Sequence, residues 1–231
     1  HRSEDAPVVL LEGGEPCGKK IVIAGGGRCN VLPMAVDETD FHTMGSRNVL
    51  RRLLRTWPLA DQRDFFETTL QLPLKDEEES EKVFPVCESG REVRDRFVAA
   101  VQKEGAEVRC GWRVESVQAL PEGGFALQSF DGQTLRAERV ILAAGGQAAP
   151  ATGSDGHGYR LAKSLGHRLE EATPALVPLT SNEKDLQELA GVSLSVRWRA
   201  IEKNKIVEER VREFLFTHRG FSGPAPLDFS W

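Results

Sequence analysis

The sequence lacks both an excess of positive charge and a long hydrophobic run. It has 231 residues, with 30 Lys and Arg against 35 Asp and Glu, and a formal net charge of −5. Proteins that bind a phosphate backbone concentrate Lys and Arg on one surface, so we do not expect nucleic acid as the main partner. A membrane-spanning helix requires roughly 18 or more consecutive apolar residues. The sequence has no such run, and we therefore expect no membrane span.

Cysteine is scarce and widely spaced. The four cysteines are Cys17, Cys29, Cys87 and Cys110, and no CxxC pair occurs. This spacing fits neither a zinc site nor a dense disulfide framework, so we predict no metal site and a reducing compartment. That compartment is the cytoplasm, or an organelle stroma or matrix if the source is a eukaryote. Nothing in the sequence indicates an oligomeric state.

What the sequence does contain is typical of an α/β protein. Apolar residues make up 40% and charged residues 28%, as in an ordinary soluble globular domain. Residues 8–11 and 139–144 are short apolar runs of the kind found in buried parallel strands. Residues 19–24 are predicted to be a further extended segment. Residues 107–138 alternate in polarity and predict a small antiparallel meander, with a turn at Asp131-Gly132.

Helix signals lie between these strands. Apolar residues fall at helical spacing over residues 47–70, and Pro58 divides them into two helices. Ser89 is the predicted N-cap of a helix that extends to about Glu104, and Gly166 is the predicted end of a helix from residue 158. Short strands dominate after residue 177. We therefore predict one domain over residues 1–176 and the start of a β-rich domain over residues 177–231.

Two glycine-rich segments follow predicted strands and carry the candidate chemistry. Glu12 ends the first apolar strand, where a carboxylate can accept hydrogen bonds from ribose hydroxyls, although strands often end in Glu for no such reason. Consecutive glycines permit positive φ and let backbone amides approach a ligand. An arginine beside them can neutralise a pyrophosphate. The first segment consists of Gly25, Gly26, Gly27, Arg28, Cys29 and Asn30. By itself it is equally consistent with a flexible turn.

The second glycine-rich segment follows the apolar run at residues 139–144. Ligands of open α/β sheets bind at the carboxyl ends of strands, and helix starts attract anions. Polar side chains cluster before the next predicted helix. The candidates are Ala144, Gly145, Gly146, Thr152, Ser154, Asp155 and His157. Cys29 is either a thiol near a redox cofactor or a small buried residue in a tight loop. Neither Cys29 nor His218 qualifies as a catalytic base on sequence alone, so the catalytic residue is unknown.

Five motifs in order resemble one known family. Residues 19–31 are similar to the signature of the YhiN/BaiN-type flavoproteins, an aminoacetone-oxidase-like family of NAD(P)/FAD-dependent oxidoreductases. Residues 82–86, 142–159, 174–179 and 214–225 resemble later landmarks of the same family. The resemblance covers essentially the whole chain. It implies an FAD-binding, Rossmann-like domain with an inserted β-rich domain, both incomplete in this chain.

The resemblance also implies cofactor contacts, position by position. Glu12 would hold the adenosine ribose, Val114 would contact adenine, and residues 25–30 would line the pyrophosphate and the flavin. Residues 144–146 would pass beside the cofactor, and Lys20, Thr152 and Asp155 are further candidate contacts. The implied cofactor is FAD with NAD(P)H as electron donor, acting on a small-molecule substrate that the resemblance does not name.

The chain departs from the family pattern at both ends. A strand with GxGxxG is expected before residue 8, and a glycine-rich return segment is expected after residue 231. The first residue is His1, with no signal-like region after it. We expect either a piece of a complete enzyme or a degraded relative. The alternatives are therefore a catalytically lost subunit of a larger assembly and a flavin-dependent RNA-modifying enzyme.

Overall fold

The computed structural model describes residues 7–41, 43, 45–228 and 230. It forms two compact units, His1–Leu169 and Glu170–Trp231. The helices and strands of the first unit are β1 (Val9–Leu11), α1 (Lys19–Ile23), β2 (Leu32–Pro33), α2 (Arg47–Thr56), α3 (Leu59–Asp64), β3 (Leu74–Glu77), β4 (Lys82–Pro85), α4 (Gly90–Lys103), β5 (Glu107–Arg109), β6 (Val114–Ala119), β7 (Phe125–Ser129), β8 (Thr134–Ala137) and α5 (His157–Ser164).

The first unit has three small sheets. Strand β1 pairs with β5 in parallel, with Leu10 opposite Val108. Strands β2, β4 and β3 form one antiparallel sheet, and β6, β7 and β8 form the predicted meander. One apolar cluster, which includes Leu72, Val83 and Val93, packs α3 and α4 on the β2–β4–β3 sheet. A second, around Trp112 and Leu161, packs α5 on the meander.

The second unit is mostly one antiparallel sheet of order β10–β11–β12–β9. Its elements are β9 (Leu179–Thr180), α6 (Lys184–Gln187), β10 (Ser193–Glu202), β11 (Lys205–Thr217), β12 (Gly220–Ser222) and α7 (Pro224–Leu227). Phe214 is buried in β11 between the rings of Trp198, Phe216 and Phe221. The β-rich character matches the sequence pattern. The assignment of residues 177–231 to an inserted domain stays a prediction.

Several local predictions are confirmed. Helix α2 ends before Pro58, and α3 begins after it. Ser89 caps α4 by accepting a hydrogen bond from the Glu92 amide at 3.3 Å. Helix α5 ends at Ser164, and Gly166 follows with φ +86°. Each of these residues begins or ends a helix through the backbone of residues next to it in the sequence. Such a helix boundary can therefore be predicted from the sequence alone.

The prediction of an extended segment at residues 19–24 is wrong. Residues Lys19–Ile23 form α1, and a 3-10 turn, Ala24–Gly27, follows. The start of α4 packs directly on this helix: a Cβ at Gly90 would lie 2.7 Å from the carbonyl oxygens of Ile21 and Val22. Contact with a neighbouring helix outweighs the strand preference of a short β-branched run.

Two predictions about strands are also wrong. Residues 107–109 do not join the meander but pair in parallel with β1. Residues 139–144 are not a strand, and Ile141 is 91% exposed. An apolar run becomes a strand only when a neighbour accepts its backbone hydrogen bonds. Within the described part of the chain, β1 pairs with β5 and no strand pairs with residues 139–144.

Candidate functional site

Glu12 lies at the carboxyl end of β1, as predicted. Its backbone amide donates to the Arg109 carbonyl at 2.9 Å, and its carbonyl accepts from the Trp112 amide at 2.9 Å. The half-buried side chain turns back on its own loop, where Oε1 accepts a 2.7 Å hydrogen bond from the Gly14 amide. This bond orients the carboxylate. A fixed acceptor at the end of a parallel strand is suited to hydroxyl donors of a ligand.

The first glycine segment forms a tight turn directly after α1. Gly25, Gly26 and Gly27 have φ values of +55°, +68° and +92°. Residues that carry a Cβ rarely adopt this left-handed backbone conformation. Three successive positions in it therefore favour glycine. A Cβ on Gly26 would meet no atom within 4 Å. The turn therefore presents the bare backbone of Gly26 to open space, as close approach of a ligand requires, whereas a Cβ on Gly25 would lie 3.0 Å from the Asn30 amide nitrogen.

Arg28 is held by two carboxylates, one at the end of β3 and one in the loop between β4 and α4. Its Nη2 donates to Glu77 at 2.5 Å and to Glu88 at 2.9 Å, and its guanidinium stacks over the Phe84 ring at 4.1 Å. Hydrogen bonds from Arg28 lower the pKa of Glu77, and those from Lys75 and Arg28 lower the pKa of Glu88. The charge of Arg28 is thus already balanced within the protein.

Cys29 and Asn30 complete the turn in different environments. Cys29 is buried, with φ +61°, and its amide donates to the Ala24 carbonyl at 2.9 Å. Burial raises the pKa of its thiol. Asn30 is exposed, and a Cβ on Gly25 would lie 3.1 Å from its Oδ1. Cys29 therefore closes the turn as a packed side chain, whereas Asn30 remains accessible.

The second glycine segment lies against the start of α5. A Cβ on Gly145 would lie 2.6 Å from Ser154 Oγ, and one on Gly146 would lie 2.8 Å from Tyr159 Oη. The Gly146 carbonyl accepts from the Gly156 amide at 3.1 Å. These close approaches explain why both positions are glycine. Packing within the protein is therefore sufficient to explain these two glycines, whether or not they also contact a ligand.

Charged and polar groups join the meander to the same helix. Arg113 donates to Asp155 at 2.6 Å, while the Oδ1 of Asp155 accepts from the His157 amide at 3.0 Å. His157 lies with Nε2 2.8 Å from the Val114 carbonyl and Nδ1 2.8 Å from Arg160. An arginine can only donate. The ring therefore accepts from Arg160 through Nδ1, and its contact through Nε2 holds the Val114 backbone.

Contacts link the Glu12 loop with Arg113 and Asp155, and Lys20 with the loop after Gly146. A Cβ on Gly13, next to Glu12, would lie 3.2 Å from the Arg113 side chain, and Arg113 in turn pairs with Asp155. Lys20 Nζ donates to the Ala148 carbonyl at 2.5 Å, which connects α1 to the loop after Gly146. The Thr152 hydroxyl donates a hydrogen bond to the Ala149 carbonyl at 2.7 Å. This bond stabilises the turn in which Thr152 lies.

The residues missed by sequence reasoning are those that act across long separations. Glu77 and Glu88 hold Arg28, and Arg113 orients Asp155. Each lies in an unremarkable charged stretch with no motif around it. No sequence pattern signals such pairs, because the partners are adjacent only after folding.

The Arg113–Asp155 pair predicts an acid-dependent stability. The hydrogen bond from Arg113 lowers the pKa of Asp155, so the folded state binds its proton less readily than the unfolded state. This contribution is present above the unfolded pKa of about 3.9 and is lost as pH falls through the folded pKa. We expect Asp155→Asn to flatten the dependence of the urea midpoint on pH below about pH 4. Asp61→Asn, on the exposed surface of α3, is the control and is expected to leave that dependence unchanged. An unchanged slope in Asp155→Asn would contradict the pair.

Two further classes of site have no support in the described residues. No group of three or more His, Cys, Asp or Glu side chains there is arranged to hold a metal ion. The helices of the described chain are also too short or too polar to cross a bilayer.

Comparison with known proteins identifies relatives along nearly the whole chain. The HI0933-like protein Rossmann domain family matches residues 1–216. The chain is 33% identical over 219 residues to 3-dehydro-bile acid delta(4,6)-reductase of Clostridium scindens, covering 95% of this chain and 52% of that protein. It is 30% identical over 226 residues to ribosomal RNA dihydrouridine synthase of Escherichia coli, covering 96% and 54%. The synthase of that name from Haemophilus influenzae is 29% identical over 232 residues, covering 96% and 55%.

The chain spans about half the length of the curated relatives it matches. The family match extends through both glycine-rich segments and the meander. It confirms the α/β, Rossmann-like fold class and the resemblance carried by the sequence motifs. The chain belongs to the HI0933-like Rossmann domain family.

Proposed function

We propose that this chain forms part of an FAD-dependent oxidoreductase that takes electrons from NAD(P)H and delivers them to a small-molecule substrate. The observation that carries the proposal is the turn at Gly25, Gly26 and Gly27, in which the bare backbone of Gly26 faces open space. Glu12, oriented at the end of β1, is the second support. Family membership is the third.

The residues present fit a dinucleotide cofactor. No described protein atom lies within 4 Å of a Cβ placed on Gly26, so the space in front of this backbone is available to a ligand. Glu12 supplies a fixed acceptor of the type that ribose hydroxyls require. The glycine turn supplies amides without intervening Cβ atoms. The carboxylate accepts from sugar hydroxyls and the amides donate to phosphate oxygens, which are the two kinds of hydrogen bond that a sugar–phosphate ligand needs.

In this proposal each residue binds or orients. Glu12 holds the ribose, residues 25–27 approach the phosphates, and Asn30 is accessible to the flavin edge. His157 fixes the Val114 backbone beside the adenine. Arg28 keeps the turn anchored through Glu77 and Glu88. FAD, when bound, supplies the hydride chemistry, which the protein only positions.

The names of the relatives support a reduction as the reaction. One is named a reductase, and two are named for forming a dihydro-nucleoside. Each name describes the addition of hydrogen to an unsaturated compound. We therefore place the flavin of this protein in a reductive role, with a small unsaturated substrate ahead of RNA because the chain is acidic overall.

The test is the visible spectrum of the purified full-length protein. We expect flavin absorbance, and loss of that absorbance within seconds of anaerobic addition of NADH or NADPH. A protein that stays colourless after incubation with FAD would contradict the proposal. That result would favour the alternative that the chain is a catalytically lost subunit of a larger assembly. A flavin that neither nucleotide reduces would remove NAD(P)H as donor while leaving FAD binding in place.

Ribosomal RNA is the second candidate substrate, because two relatives carry that substrate in their names. Binding of RNA through phosphates weakens steeply as salt increases. If RNA is the substrate, an RNA fragment will bind the full-length protein with a salt-dependent affinity and will reoxidise the reduced flavin. Binding without reoxidation would mark a non-specific surface contact.

A further inference from the structure

Phe130 is a large aromatic side chain that lies outside the apolar cores of the first unit. It follows the end of β7 and is 55% exposed, although Ser129 beside it is buried. Neither apolar cluster of the described residues includes it. A single exposed ring is ordinary on a protein surface, so its neighbours decide whether it has a role.

The neighbour that matters is Arg113, which precedes β6. Val114 pairs with Ser129 in the antiparallel register of β6 and β7, and Arg113 and Phe130 are the next residues along the two strands. The Phe130 amide donates to the Arg113 carbonyl at 3.1 Å, which fixes the two backbones to each other. The Arg113 guanidinium lies over the Phe130 ring, with Cζ 5.3 Å from the ring centroid. This distance is within the range of a cation–π interaction.

Two contacts from the α5 region hold this pair of side chains in place. Arg113 Nη2 donates to Asp155 Oδ2 at 2.6 Å, and the His157 ring lies 5.6 Å from the Phe130 ring, tilted by 49°. The Arg113 side chain is still 47% exposed despite these contacts. A guanidinium that is fixed in orientation and accessible is preorganised to stack on a planar group of a ligand.

Arg113 also borders the segment that we assign to the ribose. A Cβ on Gly13 would lie 3.2 Å from Cβ and Cγ of Arg113, and Gly13 directly follows Glu12. In an adenine nucleotide the base is attached to the ribose. A ribose bound at Glu12 therefore brings its base within reach of the residues around Gly13, of which Arg113 has the planar side chain.

We propose that the Arg113 guanidinium stacks on the adenine ring of the cofactor, and that Phe130 is a positioning residue that holds the guanidinium for this contact. The inference rests on the proposed function, because it assigns a further pair of side chains to the same FAD site. Stacking recognises the face of a base and not its hydrogen-bonding edge. The pair therefore favours FAD, which carries an adenine, over FMN, which has none.

Four variants separate stacking from charge and from general effects of substitution. Arg113→Lys keeps the positive charge beside Asp155 but removes the planar group. Phe130→Ala removes the ring that holds the guanidinium, whereas Phe130→Tyr keeps an aromatic ring at that position. Phe41→Ala is the control, because Phe41 is another exposed phenylalanine and lies in the loop before α2, outside the proposed contact.

The test is calorimetric titration of the full-length apoprotein with FAD, ADP and FMN. We expect Arg113→Lys to weaken the binding of FAD and of ADP by the same factor, about tenfold, and to leave the affinity for FMN unchanged. Phe130→Ala has the same pattern with a smaller loss. Phe130→Tyr and Phe41→Ala keep the natural affinities for all three ligands. Circular dichroism checks that each variant is folded.

The outcomes distinguish this inference from the proposed function. If the natural protein binds FAD and the folded variants Arg113→Lys and Phe130→Ala bind it equally well, the stacking contact is overturned and FAD binding stands. Equal losses for FAD, ADP and FMN would also overturn it, because they would report a general disturbance of the site. A natural protein that binds neither FAD nor ADP would contradict both.

Discussion

Substitution of Gly26 by valine is expected to lower the affinity of the full-length protein for FAD at least about tenfold, which corresponds to about 1.4 kcal/mol. Gly26 has φ +68°, and a Cβ added there would meet no atom within 4 Å. A β-branched side chain there strains the backbone and fills the space in front of the turn. Both effects withdraw the bare amides that we assign to the phosphates. Fluorescence titration of the apoprotein with FAD measures the change.

Gly105→Val is a matched control for Gly26→Val. Gly105 has φ +78°, and a Cβ added there would also meet no atom within 4 Å. Valine at this position therefore strains the backbone as it does at Gly26. It lies just before β5, whereas Glu12 lies after the parallel strand β1. Gly105 is therefore at the opposite edge of the β1–β5 pair from the proposed site. We expect Gly105→Val to lose stability but to keep its FAD affinity. Equal losses of affinity in the two variants would show that strain, and not the site, is responsible.

Substitution of Gly90 by alanine is expected to destabilise the protein by about 3 kcal/mol, the upper range for overpacking. Gly90 is buried at the first position of α4, and a Cβ there would lie 2.7 Å from two backbone carbonyls of α1. Backbone atoms cannot rotate away as a side chain does. Alanine is otherwise the better helix former by about 1 kcal/mol. A loss of stability therefore reports the clash alone.

Urea denaturation measures the effect, with Gly45→Ala as the control. Gly45 is exposed, and a Cβ there would meet the Thr43 hydroxyl at 3.3 Å. We expect that variant to remain within about 0.5 kcal/mol of the natural protein. If Gly90→Ala is as stable as Gly45→Ala, helix α1 does not rest on α4 as described. Because α1 leads directly into the glycine turn, the same result would also remove the support for the position of the turn.

Features set by neighbouring residues could be predicted from the sequence. Pro58 separates two helices because it has no amide to donate, and Ser89 caps α4 because its hydroxyl reaches the next free amide. Three glycines in succession permit the positive φ values of residues 25–27. Each of these features depends only on residues a few positions apart in the chain. The sequence therefore contains the information needed to predict it.

Features set by distant partners could not be predicted. The sequence offers Arg28 as a free cation, but Glu77 at the end of β3 and Glu88 in the loop before α4 converge on it. Residues 19–23 have the composition of a strand, but contact with α4 makes them a helix. Residues 139–144 have the composition of a buried strand, but in the described chain no neighbour pairs with them. In all three cases the deciding atoms belong to another part of the fold.

The central claim is that Glu12, the glycine turn and the second glycine segment together hold FAD. Hydrogen–deuterium exchange of the full-length protein, with and without FAD, tests it most directly. The account predicts slower exchange on FAD binding at residues 12–14, 25–30 and 144–146, and no change around Gly105. Slower exchange elsewhere with none at the two glycine segments would contradict it.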